Sequence, residues 1–398
     1  MQYMLLFLSV GQLIMVSTTL NSKPRILHVG ALPPPQGGMH LFFQSILESR
    51  LKDSYDNRYI NMSRGEMYAR AQSYQPPITS SAILRRLRIA QEIFQVGLEF
   101  HPDILFFHSG CGDLSFLSDC LHLLIARRVS RRVICLFHGL PENMFPAQNV
   151  ATRLVFQLAV AQTDRWLVLS EKYKRQLAGI IPVGKIAVVP STSGDNLIDL
   201  PVRRVLAREE DGSSTNALTV LFLGRLTQSK GAFDLVEAAK YVAESNRNVR
   251  FYLCGVGERP EDDRYLAERV RTLNLDETVF LKGIVQGEDK KAIFGESNIL
   301  VLPSYSESLG MTVMEGMAAG LPVITTPVGC LDEIVKPGIN GFLFQPGNVD
   351  ELARAILNLA ADPDLRVRMG LTNRNEFMNL YSLDIVINRI ERIYKEIL

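Results

Sequence analysis

The stretch "NILVLPSYSESLGMTVMEGMAAGLPVITT", residues 298–326, contains an apolar run, a polar loop, a helical segment and a second apolar run. The first run ends at Pro303, and helical spacing of apolar residues starts at Met311, directly after a glycine. Short apolar runs joined by helix-length segments are typical of parallel sheets with crossover helices. The stretch therefore predicts a strand, loop, helix and strand, with Glu307 on the loop and Glu315 about one turn into the helix.

The same alternation occurs twice along the chain. In the front half, a strand, a Pro/Gly loop and a helix are predicted over 25–47, and further apolar runs follow at 103–110, 132–140, 165–170 and 185–191. In the rear half, the runs lie at 218–225, 249–257, 278–285, 298–304 and 321–326. We therefore predict an α/β protein with two similar halves, each built on a doubly wound parallel sheet.

Composition changes mark the predicted boundaries. The stretch 201–217 is polar and charged and ends in small residues, as linkers do, and 383–398 has one apolar helical face that must pack on another element. The predicted parts are an apolar N-terminal extension (1–22), an N-terminal domain (23–200), a linker (201–217), a C-terminal domain (218–380) and a terminal helix (381–398).

The overall charge and the cysteines limit the function classes. The net charge is only +1, but residues 1–200 carry 20 Lys and Arg against 14 Asp and Glu, and the remainder carries 23 against 28. This modest bias favours an anionic substrate or a membrane surface over nucleic acid, which would need a denser basic stripe. The five cysteines show no Cys-x-x-Cys spacing, which favours buried thiols in a reducing, cytoplasmic compartment.

The first residues allow more than one interpretation. "MLLFLSVGQLIMV", residues 4–16, is apolar but shorter than the roughly 20 residues of a spanning helix, and no basic region precedes it as in a signal peptide. It is either an extension ahead of a start at Met15, or a weak membrane-associating or signal segment. The fold is expected to begin at about Lys23.

Residues that follow the predicted strands are the first candidates for a site, because ligands of doubly wound sheets bind outside the carboxyl ends of the strands. These residues are Gly37, Gly38, His108, His138, Gly224, Arg225, Lys230, Gly255 and Gly257. Arg225 and Lys230 in "GRLTQSKG" suit a phosphate, although two solvated cations are the alternative. For the glycines the alternative is a tight turn, and for the histidines a hydrogen-bonded place in the core.

Glu307 and Glu315 flank the start of a predicted helix, where unpaired N–H groups attract a phosphate. Two carboxylates there suit the hydroxyls of a sugar and of a ribose, and the small residues around them keep bulk away. The alternative is one glutamate favoured by the helix dipole and one that is solvated. No acidic pair follows a strand, and Asp362 and Asp364 are expected to cap a helix, so no metal site is predicted.

Residues 218 to about 370 resemble the nucleotide-binding half of retaining family 4 glycosyltransferases, which have the GT-B fold. The shared elements are "GRLTQSKG", "LCGVGE", "FLKGIV", the stretch 299–326, "GCLDEIV", "GINGFLFQPGN" and "DPDLRVRMG". The front half is similar more weakly, through "PPPQGGM", "HPDILFFHSG" and "FHGL". Cys330 stands where the family usually has a second glycine, which suggests a difference in specificity.

The resemblance implies two Rossmann-like domains that face a cleft, with the terminal helix crossing back onto the N-terminal domain. It implies that Arg225 and Lys230 hold the diphosphate, that Glu315 holds the ribose and Glu307 the sugar, and that His138 contacts the sugar from the opposite domain. Glu307, His138, Arg225 and Lys230 would be the catalytic residues. The expected nucleotide-sugar contacts are Gly37, Gly38, Gly224, Arg225, Lys230, Gly255, Gly257, Ile284, Glu307, Leu309, Gly310, Met311 and Glu315.

The function implied is transfer of a sugar, with retention and without a metal or cofactor, from a nucleoside diphosphate (UDP favoured over GDP) to a glycan or lipid-linked acceptor in surface polysaccharide or glycolipid synthesis. The alternatives are a GT-B sugar-nucleotide epimerase and a non-catalytic sugar-nucleotide-binding subunit. A further hypothesis concerns the cytoplasmic face of the membrane: "RRLR" (85–88) and "ARRVSRR" (126–132) contain Arg85, Arg86, Arg88, Arg127, Arg128, Arg131 and Arg132, which together would attract anionic lipid.

Overall fold

A computed structural model of the chain describes residues 23–33, 37–63, 80–110, 113–139, 150–200 and 217–398. Twelve strands in these ranges form two sheets of six, and every pairing between neighbouring strands is parallel. The extension 1–22 and most of the predicted linker lie outside the described residues.

The first sheet has the order β2-β1-β3-β4-β5-β6. Its strands are β1 (Arg25–Gly30), β2 (Asp56–Asn61), β3 (Ile104–Ser109), β4 (Arg132–Phe137), β5 (Arg165–Val168) and β6 (Ile186–Val188). The helices of this half are α1 (Gly38–Glu48), α2 (Leu51–Ser54), α3 (Ser80–Phe100), α4 (Asp113–Val129), α5 (Val150–Gln162) and α6 (Glu171–Leu177). Short 3₁₀ turns follow at Val183–Lys185 and Asp195–Leu197.

The second sheet has the order β12-β11-β10-β7-β8-β9. Its strands are β7 (Leu218–Leu223), β8 (Val249–Cys254), β9 (Val279–Gly283), β10 (Ile299–Leu302), β11 (Val323–Thr325) and β12 (Gly341–Leu343). A 3₁₀ turn lies at Gln228–Lys230. The helices are α7 (Ala232–Ser245), α8 (Pro260–Thr272), α9 (Gly287–Glu296), α10 (Met311–Ala319), α11 (Leu331–Ile334), α12 (Val349–Ala361), α13 (Pro363–Glu376) and, after a π-helical turn at Phe377–Tyr381, α14 (Leu383–Ile397).

Strand order determines where each half offers a crevice. In the first sheet β1 lies between β2 and β3, and in the second β7 lies between β8 and β10, so the chain reverses its direction across the sheet at β1/β3 and at β7/β10. Ligands of open α/β sheets bind outside the carboxyl ends of strands at such reversal points. The loops after β1, β7 and β10 carry most of the predicted site residues, and the predicted two-sheet α/β class is confirmed.

Aromatic contacts distinguish the two faces of the first sheet. Phe116 of α4 packs against Phe137, with 6.4 Å between ring centroids, on the face that carries α4 and α5. On the other face, Phe43 of α1 lies 4.5 Å from the His108 ring. Because side chains alternate along a strand, successive residues of β3 and β4 contribute to opposite layers of the core.

The terminal helix α14 returns to the first sheet, as predicted. Tyr394 is fully buried, and its ring lies 5.4 Å from that of Tyr55 and 6.0 Å from that of Phe106, both edge to face. Arg132 donates from Nε to the Ile397 carbonyl at 2.8 Å, and Arg50 pairs with Glu391 at 2.7 Å. The apolar face of α14 therefore closes the core of the N-terminal half.

Residues 197–200, which follow the first sheet and precede the linker, pack on the C-terminal half. The Arg374 guanidinium donates to the carbonyls of Leu197 (3.0 Å), Leu200 (2.8 Å) and Ala318 (2.9 Å). These bonds tie residues 197–200 to α10 and α13 of the C-terminal half. The domain boundary at 200 stays a prediction.

The predicted basic face is divided. Arg85, Arg86 and Arg88 lie in the first turns of α3, whereas Arg127 and Arg128 lie in the last turn of α4, which packs along α3. Both helices run from the carboxyl to the amino edge of the sheet, and the Arg86 carbonyl lies 3.1 Å from Nε2 of His122, five residues before Arg127. At the amino edge Arg131 pairs with Asp103 (3.4 Å), and Arg127 (3.4 Å) and Arg132 (3.1 Å) pair with Asp164. Aspartates therefore offset the charge of three of the seven arginines, and the membrane contact stays a prediction.

In the described part of the chain, no helix is both long enough and apolar enough to cross a membrane. Cys120, Cys135, Cys254 and Cys330 are free and buried, as predicted, and Cys111 lies outside the described residues. Asp362 caps α13 by accepting from the Leu365 N–H at 2.8 Å, which confirms the predicted role of "DPD".

Candidate active site

Lys230 and Glu307 form an ion pair at the carboxyl edge of the second sheet. Lys230 ends the turn after β7, Glu307 lies between β10 and α10, and their Nζ and Oε1 atoms are 2.6 Å apart. The same Glu307 oxygen accepts from the Ser304 hydroxyl at 3.0 Å. Both side chains are largely buried, so the pair lies in a partly desolvated place where its charges interact more strongly than they would in water.

The start of α10 lies directly beyond Glu307. Gly310 precedes the helix with φ 75°, and a Cβ there would lie 2.7 Å from the Leu331 side chain, so this position requires glycine. Leu309 before it is buried and Met311 after it is half-buried. The first turn of α10 contains no acidic residue, so its free N–H groups and the positive end of the dipole are available to an anion.

Arg225 pairs with Glu258, which is the last residue of "LCGVGE". The Arg225 side chain is 43% exposed, so its guanidinium can reach a ligand in the crevice. The neighbouring glycines have a structural explanation: a Cβ on Gly255 (φ 140°) would lie 1.8 Å from the Gly224 carbonyl, and one on Gly257 would lie 2.5 Å from the Asp262 Cβ. Gly255 thus lets the loops after β7 and β8 lie close together, and Gly257 lets the loop after β8 fold onto the start of α8, whether or not a ligand is bound. Ile284, after β9, is 59% exposed beside them.

Glu315 is buried within α10 and has two partners that the sequence did not predict. Its Oε1 accepts from the Ser193 hydroxyl at 2.6 Å and from the Lys290 ammonium of α9 at 2.7 Å. Sequence reasoning missed Ser193, Lys290, Ser304 and Glu258. The signal for Lys290 was weak, because a lysine in the first turn of a polar helix resembles any solvated cation.

The N-terminal half meets this edge through two glycines. A Cβ on Gly38, the first residue of α1, would lie 2.4 Å from the Met311 Cγ, and one on Gly139 would lie 2.5 Å from the Ser308 Oγ. Side chains at either position would therefore separate the two halves. Gly37 caps α1 in extended conformation. The structure thus brings the predicted residues of the front half against the loop that contains Glu307.

His138 follows β4, next to Gly139, and its Nε2 lies 3.1 Å from the Nδ1 of His108. Both imidazoles are buried, and Phe42 packs edge to face on His138 at 6.1 Å. Burial, with the nearby His40, lowers the pKa of His138 to about 3, and burial lowers the pKa of His108 well below its usual value. His138 is therefore neutral and can act as a hydrogen-bonding group but not as a cation at physiological pH.

Cys330 contacts both the Glu307 loop and the N-terminal half. Its N–H donates to the Ser308 carbonyl at 2.9 Å, and its thiol donates to the Ser170 hydroxyl at 3.0 Å. Burial raises the pKa of this thiol to about 11, so it stays protonated. Within the described ranges no group of three or more His, Cys, Asp or Glu side chains could hold a metal ion. Metal independence stays a prediction.

Comparison with known proteins agrees with this geometry. Residues 205–376 match the family model described as glycosyl transferases group 1. The C-terminal half of the chain is similar to this family over these residues. The match includes the site residues Arg225, Lys230, Glu307 and Glu315.

Curated relatives extend the similarity with lower identity. An uncharacterised glycosyltransferase of Methanocaldococcus jannaschii is 26% identical over 64% of this chain and 65% of its own length. N-acetyl-alpha-D-glucosaminyl L-malate synthase of Bacillus anthracis is 23% identical over 90% of this chain and 89% of its own. The chain thus spans just under two thirds of the first relative and most of the second.

Solved structures show the same fold for both halves together. A glycosyltransferase from Rickettsia africae superposes with a TM-score of 0.75 at 20% identity, covering 95% of this chain and 99% of that one. HepE of Anabaena, solved with UDP and glucose, gives 0.69 at 18% identity over 94% and 100%. The two parallel sheets and the returning helix α14 form the GT-B fold, as expected.

Proposed function

We propose that the protein is a retaining glycosyltransferase that moves a sugar from a nucleoside diphosphate, UDP rather than GDP, to a glycan or lipid-linked acceptor. One observation carries the proposal: a lysine–glutamate pair (Lys230–Glu307), with Arg225 on the same edge, lies between a strand reversal point and the free start of α10. Such an edge offers fixed positive groups for a diphosphate and a carboxylate for the hydroxyls of a sugar.

In this proposal Lys230 and Arg225 stabilise the diphosphate as it leaves. Both cations already have carboxylate partners, Glu307 and Glu258, so an arriving diphosphate would share them rather than meet bare charges. Lys230 would then lie between phosphate and Glu307, which keeps the two anions apart. Because negative charge grows on the leaving phosphate, donors held in place in advance lower the barrier.

The remaining residues would hold the two ends of the donor. Glu315, with Ser193 and Lys290 beside it, would accept from the ribose hydroxyls. Glu307 would accept from the sugar, and neutral His138 would contact it from the N-terminal half. The leaving phosphate takes the acceptor proton in this front-face reaction, so no separate catalytic base is required. HepE of Anabaena, which has this fold, has been solved with UDP and with UDP-glucose, and this supports a nucleotide-sugar donor.

We also propose the place of action and the acceptor. Cytoplasmic action at the inner face of the membrane, on a glycan or lipid-linked acceptor for surface polysaccharide or glycolipid, fits the free, buried cysteines and the family match of the C-terminal half.

A donor panel tests the proposal directly. The purified chain is heated with UDP-, GDP- and ADP-sugars, and a ligand at 100 times its dissociation constant should raise the melting temperature by about 5 °C. We expect a UDP-sugar to give the largest shift. The nucleotide sugar that binds is then incubated with the protein in EDTA. Turnover is compared in the presence and in the absence of a mixture of lipid-linked acceptors.

The outcomes separate the candidate functions. Release of UDP that depends on the acceptor, with an α-linked sugar product from an α-linked donor, supports retaining transfer. A changed sugar without acceptor indicates the epimerase, and binding without any turnover indicates a binding subunit. Activity that disappears in EDTA and returns with Mg²⁺ or Mn²⁺ contradicts metal independence.

A further inference from the structure

Three neighbouring helices of the N-terminal half expose large apolar side chains where one normally finds polar ones. Their exposed fractions range from 39% to 73%. Further along these helices they are Phe94 and Leu98 on α3 and Leu158 on α5. Nearer the helix starts they are Ile83, Leu84 and Leu87 on α3, Leu117 and Leu121 on α4, and Val150 and Leu154 on α5. We call these seven residues the apolar rim. Single exposed leucines are ordinary, but a contiguous group marks an interaction surface.

The members of the apolar rim lie at one level of the molecule. α3, α4 and α5 pack side by side, with α4 in the middle. Each helix leads into the next parallel strand, so each begins at the carboxyl edge of the sheet and runs toward the amino edge. All seven residues lie in the first three turns of their helices. The apolar rim therefore lies at the edge that also borders the candidate cleft.

The charge around the apolar rim is positive. Arg85, Arg86 and Arg88 on α3 and Arg153 on α5 lie among its residues. Residues 80–90 and 150–160 contain no acidic residue. On α4, Asp119 is buried and accepts from the Ser109 hydroxyl at 2.6 Å, and burial raises its pKa to about 7, so it contributes little negative charge to the surface.

We propose that the apolar rim inserts into the interface of an anionic lipid bilayer, with the arginines beside it contacting lipid phosphates. Apolar side chains flanked by arginines are the combination that binds such interfaces. A second copy of the chain fits less well, because a two-fold contact through this face would bring arginines against arginines. This proposal rests on the proposed function, since it supplies a lipid-linked acceptor at the cleft edge.

The proposal replaces the basic face expected from the sequence. The arginines at the amino edge, Arg127, Arg131 and Arg132, lie in the last turn of α4 and directly after it. Only the run at 85–88 lies near the apolar rim. Hydrophobic insertion and the local arginines together, rather than seven arginines alone, would hold the protein with its cleft edge toward the lipid.

Vesicle flotation with the full chain tests the docking. Wild type is compared with a rim variant (Leu84→Ser, Leu87→Ser, Leu121→Ser, Leu154→Ser) and with a control variant that removes exposed apolar groups of the C-terminal half (Tyr241→Ser, Ile339→Ser, Leu371→Ser). Neutral vesicles contain phosphatidylcholine alone, and anionic vesicles contain in addition about 30% phosphatidylglycerol. We expect wild type and control to float with the anionic vesicles and the rim variant to lose about fivefold or more of the bound fraction. All three keep residues 1–22, so the apolar N-terminus is constant.

Thermal shift with UDP checks that each variant is folded and binds nucleotide. Equal flotation of the rim variant and wild type overturns the proposal, as does equal binding to neutral and anionic vesicles. Self-association of wild type that the rim variant loses, without vesicle binding, assigns the surface to a second copy instead. If no nucleotide sugar binds or turns over but the rim variant still loses flotation, the docking stands and the proposed transfer fails.

Discussion

At the scale of single residues, the two glutamates of the opening stretch have different surroundings. Glu307 faces the crevice and shares one oxygen between Lys230 and Ser304, whereas Glu315 is buried between Ser193 and Lys290. The first contact can be shared with a substrate. The second is enclosed by residues that join the two halves, so its loss would affect the shape of the nucleotide pocket.

This difference predicts different phenotypes. Glu307→Gln keeps the side-chain size but removes the charge, so we expect turnover to fall by about 100-fold while free UDP binds within a few-fold of wild type. Glu315→Ala leaves the half-buried Lys290 without this partner and removes the proposed ribose acceptor, so free UDP should bind about 10-fold or more weakly. Glu315→Gln, which keeps the volume, should show an intermediate loss. Calorimetry with UDP measures both effects, and equal losses for Glu307→Gln and Glu315→Ala would contradict the assignment.

At the scale of elements, apolar periodicity predicted the strands that are buried on both faces. The runs at 103–110, 132–140 and 298–304 correspond to β3, β4 and β10 because such strands carry unbroken apolar sequences. The edge strand β2, "DNRYIN", was missed because four of its six residues are exposed and no apolar run marks it. The partners of Glu315 were missed for another reason: Ser193 lies 122 residues away, and only the packed tertiary structure brings the two together.

Two short helices form a charged contact between the halves. Lys172 of α6 pairs with Asp332 of α11 at 3.1 Å, and Arg175 pairs with Glu333 at 2.5 Å. The Glu333 carboxylate also accepts from the Lys172 N–H at 3.0 Å, and these partners lower its pKa although burial opposes them. Because α11 follows Cys330 and the Glu307 loop, this contact joins the two halves close to the crevice.

We therefore expect that Asp332→Ala with Glu333→Ala opens the cleft. Partly exposed ion pairs are each worth about 1 kcal/mol or less, so global stability should change little. The radius of gyration in solution scattering should rise, and the donor KM should increase several-fold. Glu261→Ala, which removes an ion pair within α8, is the matched control and should change neither quantity. An unchanged radius in the double variant would show that other contacts, such as Gly38 on Met311, hold the halves together.

At the scale of the whole molecule, the face of the first sheet under α1 and α14 contains three neutral imidazoles. Burial lowers the pKa of His28 to about 4 and that of His138 to about 3, and it also lowers the pKa of His108. Each of these histidines binds a proton in the unfolded chain below about pH 6.5 but not in the folded one. Asp119 acts in the opposite sense, because its pKa of about 7 means that the folded state keeps a proton that the unfolded chain loses.

Burial also lowers the pKa of His40 and His122 and raises the pKa of Asp195 and Glu376, so five histidines oppose three acidic groups and determine the sign of the net proton uptake. Between pH 6.5 and about 4 the unfolded chain binds more protons, so the free energy of unfolding should fall as pH decreases, on the order of 1 kcal/mol per pH unit or more. Urea unfolding at pH 7.5, 6 and 5 measures this slope. His28→Leu removes one of the protons taken up on unfolding and should flatten the slope, whereas the exposed His101→Asn, at a positive φ that asparagine tolerates, should leave it unchanged. A slope that His28→Leu leaves unchanged would mean that the His28 imidazole is not neutral in the folded protein.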